Sequence, residues 1–359
     1  MRGTTIAAVA AEAGVGVGTV SRVLNGSAAV SEPTRRRVLD AIVALDYQPS
    51  SVARALSTGR THAVGVVAPF FTRPSVIERL RGVSRALAGA GYQLILLDVE
   101  RPEQRADLFR SLAVKGRIDG LLAVSLAPSA ADLRRLEAMP MPVVLVDRAH
   151  DRLPAVTIDN VAGGRMAAEH LLELGHERIA FLGDAEDAAD DAFGFDSSAR
   201  RCEGFSTTLA EAGLPLAGDR IVLRPHGRAT ARAAAAELLA EAERPTAIFA
   251  SSDVQAIGVL EAAQSLGVRV PDELSVIGFD DVEAAGFTNL TTVAQPLEES
   301  GALGAELLLR VLSGEPARGR RLPLAIVRRG STAPSLVGNG KRAIQSPRGA
   351  SSQEGGVCT

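Results

Sequence analysis

Tryptophan is absent, and the 359 residues hold only two tyrosines and ten phenylalanines. The core of such a chain must be aliphatic, built from Ala, Val, Leu and Ile, a composition that suits parallel strands buried on both faces. Cysteine is scarcer still. Cys202 and Cys358 stand far apart, which excludes a disulfide framework or a thiolate zinc site and fits reducing surroundings. Lysine occurs twice against 37 arginines, a bias of codon composition rather than of function. No run of about 18 uncharged apolar residues offers a membrane span, and residues 1–20 lack the pattern of a secretory leader. The expectation is a cytoplasmic protein with no membrane contact.

Net charge is −3, but it is unevenly spread. Residues 1–60 carry seven arginines and four acids, an excess of three positive charges, which leaves −6 for residues 61–359. Only the first segment suits a polyanion. Within it, Ile6, Val9, Ala10 and Ala13 repeat at helical spacing, and Val15, Val20, Val23 and Leu24 resume the pattern beyond Gly14. Two short helices broken at a glycine are the layout of a helix-turn-helix. The second helix turns Val17, Gly18, Thr19, Ser21 and Arg22 outward, small groups and one arginine suited to phosphates and base edges. Gly14-x-Gly16-x-Gly18 has the wrong spacing for a dinucleotide-binding turn and follows a helical pattern rather than a strand. A third helix fits Ser31 to Leu45, with Ser31 as N-cap, Pro33 in the first turn, and Val38, Leu39, Ile42, Val43 and Leu45 as its buried stripe. Residues 47–61, which Pro49 opens and Gly59 closes, suit two turns of helix, too few to be stable alone.

From Ala63 the pattern becomes strands alternating with helices. Apolar runs at 63–68, 93–97, 119–124 and 143–147 form one series, and runs at 178–183, 219–223, 246–250 and 274–278 form another, with helical stretches between. The fold class is therefore α/β, with two doubly wound parallel sheets whose strand ends face one cleft. Residues 334–359 are rich in Gly, Ser and Arg and read as a disordered tail.

Enzymatic constellations are missing. No Ser-His-Asp order, phosphate loop or set of metal ligands emerges, so no catalytic residue, metal or cofactor is expected. His176 reads as a helix-end cap. Asp184, Glu186, Asp187, Asp190 and Asp191, in the stretch from Gly183 to Ser198, read as an irregular solvated loop rather than a metal site.

The run Thr19-Val-Ser-Arg-Val-Leu-Asn-Gly26, then Val30-Ser31, Tyr47-x-Pro49 and Ala53-Arg54-x-Leu56, resembles the lac-repressor (LacI/GalR) family of bacterial transcription regulators. The resemblance continues through Leu171-Leu-Glu-Leu-Gly-His176, Arg201-x-x-Gly204-Phe205, Ala250-Ser-Ser-Asp253, Val276-Ile-Gly-Phe-Asp-Asp281 and Thr291-Thr292-Val293. It implies a helix-turn-helix head over 1–46, a hinge helix and linker over 47–61, and a two-lobed core like that of periplasmic binding proteins. Its first lobe would take 62–160 and 292–322, and its second 161–291 and 323–333. The implied function is sequence-specific DNA binding by a repressor, controlled by a small-molecule effector, a sugar or related metabolite, held between the lobes. The partners are a pseudo-palindromic double-stranded operator and a second copy of the chain. A homodimer is expected because the tail lacks the apolar heptads that would join dimers. The alternative, a transporter's solute-binding protein, shares the two lobes but has no use for the basic head.

Residue by residue, the resemblance places DNA contacts at Thr5, Val17, Gly18, Thr19, Ser21, Arg22 and Asn25, with Arg22 reaching a guanine. Ser50, Ala53 and Leu56 belong to the hinge helix, where Leu56 is either a minor-groove wedge or a staple onto the core. Gly16 replaces the family's usual serine cap. Effector contacts fall at Phe70, Phe71, Ser75, Asp147, Arg201, Ser252 and Asp280. Phe70 and Phe71 offer faces for a sugar ring where many relatives have Asn-Pro-aromatic, whereas Arg73 suits an anion. Asp147 is either ligand-facing or a structural ion pair, and Asp253 either a ligand group or an N-cap.

Overall fold

Gly14 adopts φ +63°, and this left-handed turn separates α1 (Ile6–Glu12) from α2 (Val17–Leu24). A computed structural model describes residues 4–24, 27–47, 60–99, 101–112, 117–126, 129–185 and 195–336. Thr5 caps α1, its hydroxyl accepting from the Ala8 N–H at 3.3 Å. With α3 (Glu32–Ala44), the two helices enclose Val9, Ala10, Ala13, Val20, Val23, Val38, Ala41 and Tyr47. Two expectations for α3 are corrected. Its inner face is Val38, Ala41, Ile42 and Leu45, one i, i+3, i+4, i+7 row, and Leu39 and Val43 lie off that row, 48% and 80% exposed. Ser31 stands at the N-cap, but its hydroxyl donates to Thr34 Oγ1 instead of accepting from the backbone.

The core alternates β1 (Ala63–Ala68), α4 (Pro74–Gly89), β2 (Gln93–Asp98), α5 (Pro102–Leu112), β3 (Gly120–Val124), α6 (Ala130–Glu137), β4 (Val143–Val146) and β5 (Ala155–Thr157). It then crosses to α7 (Asn160–Glu173), β6 (Ile179–Asp184), α8 (Ser197–Glu211), β7 (Ile221–Arg224), α9 (Arg228–Leu239), β8 (Ala247–Ala250), α10 (Asp253–Ser265), β9 (Ser275–Asp280), α11 (Glu283–Phe287) and β10 (Thr291–Ala294). A second crossing leads to α12 (Leu297–Leu312) and β11 (Arg320–Arg321), and a third to β12 (Ala325–Val327). One sheet has the order β11-β5-β4-β3-β1-β2 and is wholly parallel. The other, β12-β10-β9-β8-β6-β7, is parallel except that β12 pairs antiparallel with β10. Both reverse direction beside their first strand, the arrangement that opens a crevice at the strand carboxyl ends. Strands β1, β3, β4, β8 and β9 are buried along their whole length, as aliphatic strands covered on both faces must be.

The expected lobe boundary at 292 is moved. Thr291 to Ala294 pair in register with Ile277 to Asp280 of β9, so β10 belongs wholly to the second sheet. The crossing falls at Gln295–Pro296, where proline has no N–H with which to continue the ladder.

In each lobe a helix pair is held at minimal distance by two facing glycines. A Cβ at Gly82 would lie 1.9 Å from Glu298 O, and one at Gly301 1.9 Å from Arg79 O, which fixes α4 against α12. In the second lobe a Cβ at Gly164 would lie 1.9 Å from Arg201 O, and one at Gly204 1.9 Å from Val161 O, which fixes α7 against α8.

His176 closes α7 as expected: beyond Gly175, which has φ +77°, its backbone N–H donates to Leu171 O at 3.1 Å. Its imidazole is buried and meets Thr246 Oγ1 at 3.0 Å, Ser275 Oγ at 2.9 Å and Ala333 O at 3.0 Å. Burial holds it and His170 below the usual histidine range. The segment they bind is ordered beyond the expected start of the tail at 334: the Ser335 N–H donates to Leu174 O at 2.8 Å. Residues 337–359 lie outside the described residues. Among the described residues, no single helix is long and apolar enough to cross a membrane.

Candidate functional site

The carboxyl ends of the strands carry an unusual backbone. Ser125 after β3, Asp147 after β4, and Asp280 and Asp281 at the end of β9 all have positive φ, between 49° and 119°. Non-glycine residues in such conformations cost about 1–3 kcal/mol each and persist where the surroundings enforce them, often at binding sites. These ends from the two sheets meet at a cavity of about 70 Å³.

The first lobe contributes Ser75, Arg79, Ser125 and Asp147, and the second contributes Asp184, Arg201, His226, Ser252 and Asp280. Arg79 is 3% exposed, with Nη2 3.1 Å from Asp147 Oδ2 and donating to Gln295 Oε1 at 2.8 Å. Its Nε is buried with no hydrogen-bond partner among the described residues. Such an orphan donor is rare and needs an explanation. Arg201 is equally buried. Its Nε donates to Asn160 Oδ1 at 2.8 Å, its Nη1 to Ser251 O at 2.5 Å, and its guanidinium lies 3.5 Å above the Phe279 ring. Asp280 Oδ1 is 3.7 Å from Arg201 Nη1. Burial raises the Asp280 carboxyl above the usual carboxylate range, against the opposing pull of Arg201 and Arg79.

A polar relay lies behind this centre. Ser252 caps α10 by accepting from the Gln255 N–H at 3.3 Å, and its hydroxyl and that of Ser251 both donate to Gln255 Oε1. Gln255 Nε2 in turn donates to Asp184 Oδ1 at 2.9 Å, which also meets His226 Nδ1 at 3.0 Å.

Five of the seven sequence-derived effector residues therefore come together: Ser75, Asp147, Arg201, Ser252 and Asp280. Asp147 lines the cavity and is paired with Arg79. Phe70 and Phe71 do not line the cavity. The Phe70 ring packs 6.2 Å from that of Phe195 with Arg73 stacked 4.3 Å above it, and Phe71 packs against the aliphatic core beneath α4. Asp253 is not the cap of α10, which is Ser252, and it does not line the cavity. Fully buried, it accepts from the Val282 N–H at 2.9 Å and from Thr292 Oγ1 at 2.6 Å. Burial, and then the nearby Asp280, push its carboxyl up to about 8.

Arg79, Gln295, Asp184 and His226 were not singled out for the cavity from sequence. Arg79 sits within Glu78-Arg79-Leu80-Arg81, where nothing separates it from a solvated helix face. Gln295 directly follows the Thr-Thr-Val-Ala strand, and that position was its one available signal.

In the head, Val17, Gly18 and Arg22 are exposed along α2, Thr19 and Ser21 are half-buried beside them, and Thr5 is exposed at the start of α1. Arg22 forms no ion pair among the described residues. Asn25, Ser50, Ala53 and Leu56 lie outside the described residues, as does the acidic stretch 186–194.

A three-helix head joined to a two-lobed binding core defines a class of ligand-responsive DNA-binding regulators. Residues 5–50 match the lacI family of bacterial regulatory proteins, and residues 168–332 match the periplasmic binding protein-like domain. The chain is 33% identical to the ribose operon repressor of Escherichia coli (strain K12), covering 91% of this chain and 99% of that protein. Among solved structures it resembles the transcriptional regulator CelR in complex with cellobiose, at 32% identity and TM-score 0.67 over 91% of this chain and 99% of that one. It also resembles the lac repressor dimer bound to operator and the anti-inducer ONPF, at 25% identity and TM-score 0.80 over 92% of this chain and 100% of that one. The chain belongs to the LacI family of bacterial transcriptional regulators.

Proposed function

We propose that the chain is a homodimeric repressor that binds a pseudo-palindromic operator and responds to a sugar held between its lobes. The carrying observation is the cavity at the strand ends, where Arg79 from one lobe and Arg201 from the other are buried among Asp147, Asp280 and Gln295. Forked donors facing carboxylates suit the vicinal hydroxyls of a sugar. At about 70 Å³ the cavity is far below the roughly 300–1,000 Å³ of ordinary ligand sites, so a sugar enters only when the lobes part. A ligand that prefers one lobe arrangement shifts the population toward it, and the head follows. A related repressor named for the ribose operon and a related regulator solved in complex with cellobiose support the sugar class.

DNA reading rests on α2. Arg22 makes the forked contact to a purine edge, Val17 meets a thymine methyl, and Thr5, Thr19 and Ser21 hold phosphates. Asn25, Ser50, Ala53 and Leu56 complete the operator contacts. The protein acts in the cytoplasm, where the operator is, as a binding protein with no catalytic role. The test combines a thermal-shift screen of sugars with gel-shift titration of the protein's own upstream DNA. A sugar that raises the melting temperature and alters operator affinity supports the assignment. Binding without sequence preference at physiological salt, or no response to any sugar, overturns it.

A further inference from the structure

A second cavity, of about 680 Å³, opens on the crossover side of the core, separated from the first by Asp147. Four arginines line it, two from each lobe: Arg148, which follows β4, and Arg321 of β11, facing Arg165 of α7 and Arg200 of α8. The carboxylates among them are fewer. Asp196 is shared, 2.9 Å from Arg148 Nη1 and 2.8 Å from Arg200 Nε, and Asp159 lies 3.1 Å from Arg321 Nη1. Asp147 is already met by Arg79 at 3.1 Å, and Arg165 forms no ion pair among the described residues. Four guanidinium groups line the cavity against these carboxylates, with Glu203 also acting on Arg200, and leave positive charge in excess. The first residues of α7 line the same wall, so the positive end of that helix adds to the field.

We propose that this cavity is a second ligand site, specific for a small dianion such as a phosphate monoester, and separate from the proposed sugar site. Its volume lies within the range of metabolite sites, and the excess charge matches a phosphate dianion. Planar guanidinium groups suit phosphate oxygens in paired contacts. The ligand touches both lobes, because Arg148 and Arg321 belong to one and Arg165 and Arg200 to the other. It stands in the place where the Arg148–Asp196 ion pair already links them. Occupancy therefore draws the lobes together on the crossover side while the sugar site stays free to be filled or empty.

The experiment is calorimetric titration of the full chain with ribose 5-phosphate, and separately with inorganic phosphate, at fixed ionic strength. Arg165→Ala/Arg321→Ala and Arg165→Lys/Arg321→Lys are run beside it. The proposal expects saturable binding of the phosphorylated probe, at least tenfold weaker in the alanine pair and largely restored in the lysine pair. Both positions are exposed, and equal melting temperatures check that the variants are folded. No saturable binding, or equal binding by the alanine pair, overturns the proposal.

Discussion

Gln295 donates from Nε2 to Asp280 Oδ1 at 2.5 Å, and the same side chain accepts from Arg79 at 2.8 Å. One amide, placed where the chain passes between lobes, thus connects a buried base of the first lobe to a buried acid of the second. Neither charged group lies in water, so each depends on this partner.

Replacing Gln295 by alanine removes both hydrogen bonds and leaves charged groups underpaired. A loss of about 2–3 kcal/mol in unfolding free energy is expected by urea denaturation. The sugar-induced thermal shift should shrink as well, because Arg79 and Asp280 lose their fixed orientation. Unchanged stability would show that the bridge carries no weight in the folded protein.

Asp253 makes stability depend on pH in a direction opposite to ordinary surface carboxylates. Its folded value of about 8 lies above the ordinary 3.8, so between those limits the folded protein keeps a proton that the unfolded chain has released. Stability then falls as pH rises through that window, by up to about 1.4 kcal/mol per pH unit, and levels off above it. Asp253→Asn, which imitates the protonated acid, should flatten the slope. Urea midpoints for both proteins between pH 5 and 8.5 measure the difference, and parallel curves would refute the assignment.

At the glycine crossings, Gly164→Ala and Gly301→Ala each force a Cβ to within 1.9 Å of a backbone oxygen. Each should cost at least about 2 kcal/mol, because helices must separate to admit the methyl group. Gly89→Ala is the matched control: a Cβ there meets nothing within 4 Å, and helix propensity favours alanine. Thermal unfolding of the three variants separates steric crowding from any general effect of losing glycine.

In the head, a Cβ at Gly18 also meets nothing within 4 Å. Gly18→Asn should leave the melting temperature nearly unchanged while altering operator preference, read by selection from a randomised DNA pool. Arg22→Ala should lower discrimination at one base pair by about 1–3 kcal/mol. A shifted melting temperature without changed preference would place Gly18 outside the reading surface.

The order of strands was legible because aliphatic strands buried on both faces appear as uninterrupted apolar runs, as at Val64–Ala68 and Leu121–Val124. The turn at Gly14 was legible for a local reason, its positive φ. The lobe crossing at Gln295–Pro296 was not, since Thr291–Ala294 resembles any short strand until its pairing with β9 is seen. The cavity was half visible. Asp280 and Arg201 stand in recognisable strings, whereas Arg79 gains its role from a contact 216 residues away. Phe70 and Phe71 misled because an aromatic beside a strand end suggests a stacking platform, and here Arg73 and Phe195 occupy the Phe70 ring while the core takes Phe71.

The glycine crossings also govern how motion travels. Gly301 rests on the carbonyl of Arg79 and Gly164 on that of Arg201, so the helix bearing each cleft arginine is pinned by backbone contact to its neighbour. Neither helix slides along its neighbour without breaking that contact. Each arginine of the cleft therefore stands on a unit of two locked helices rather than on a single helix, Arg79 on α4 with α12 and Arg201 on α8 with α7.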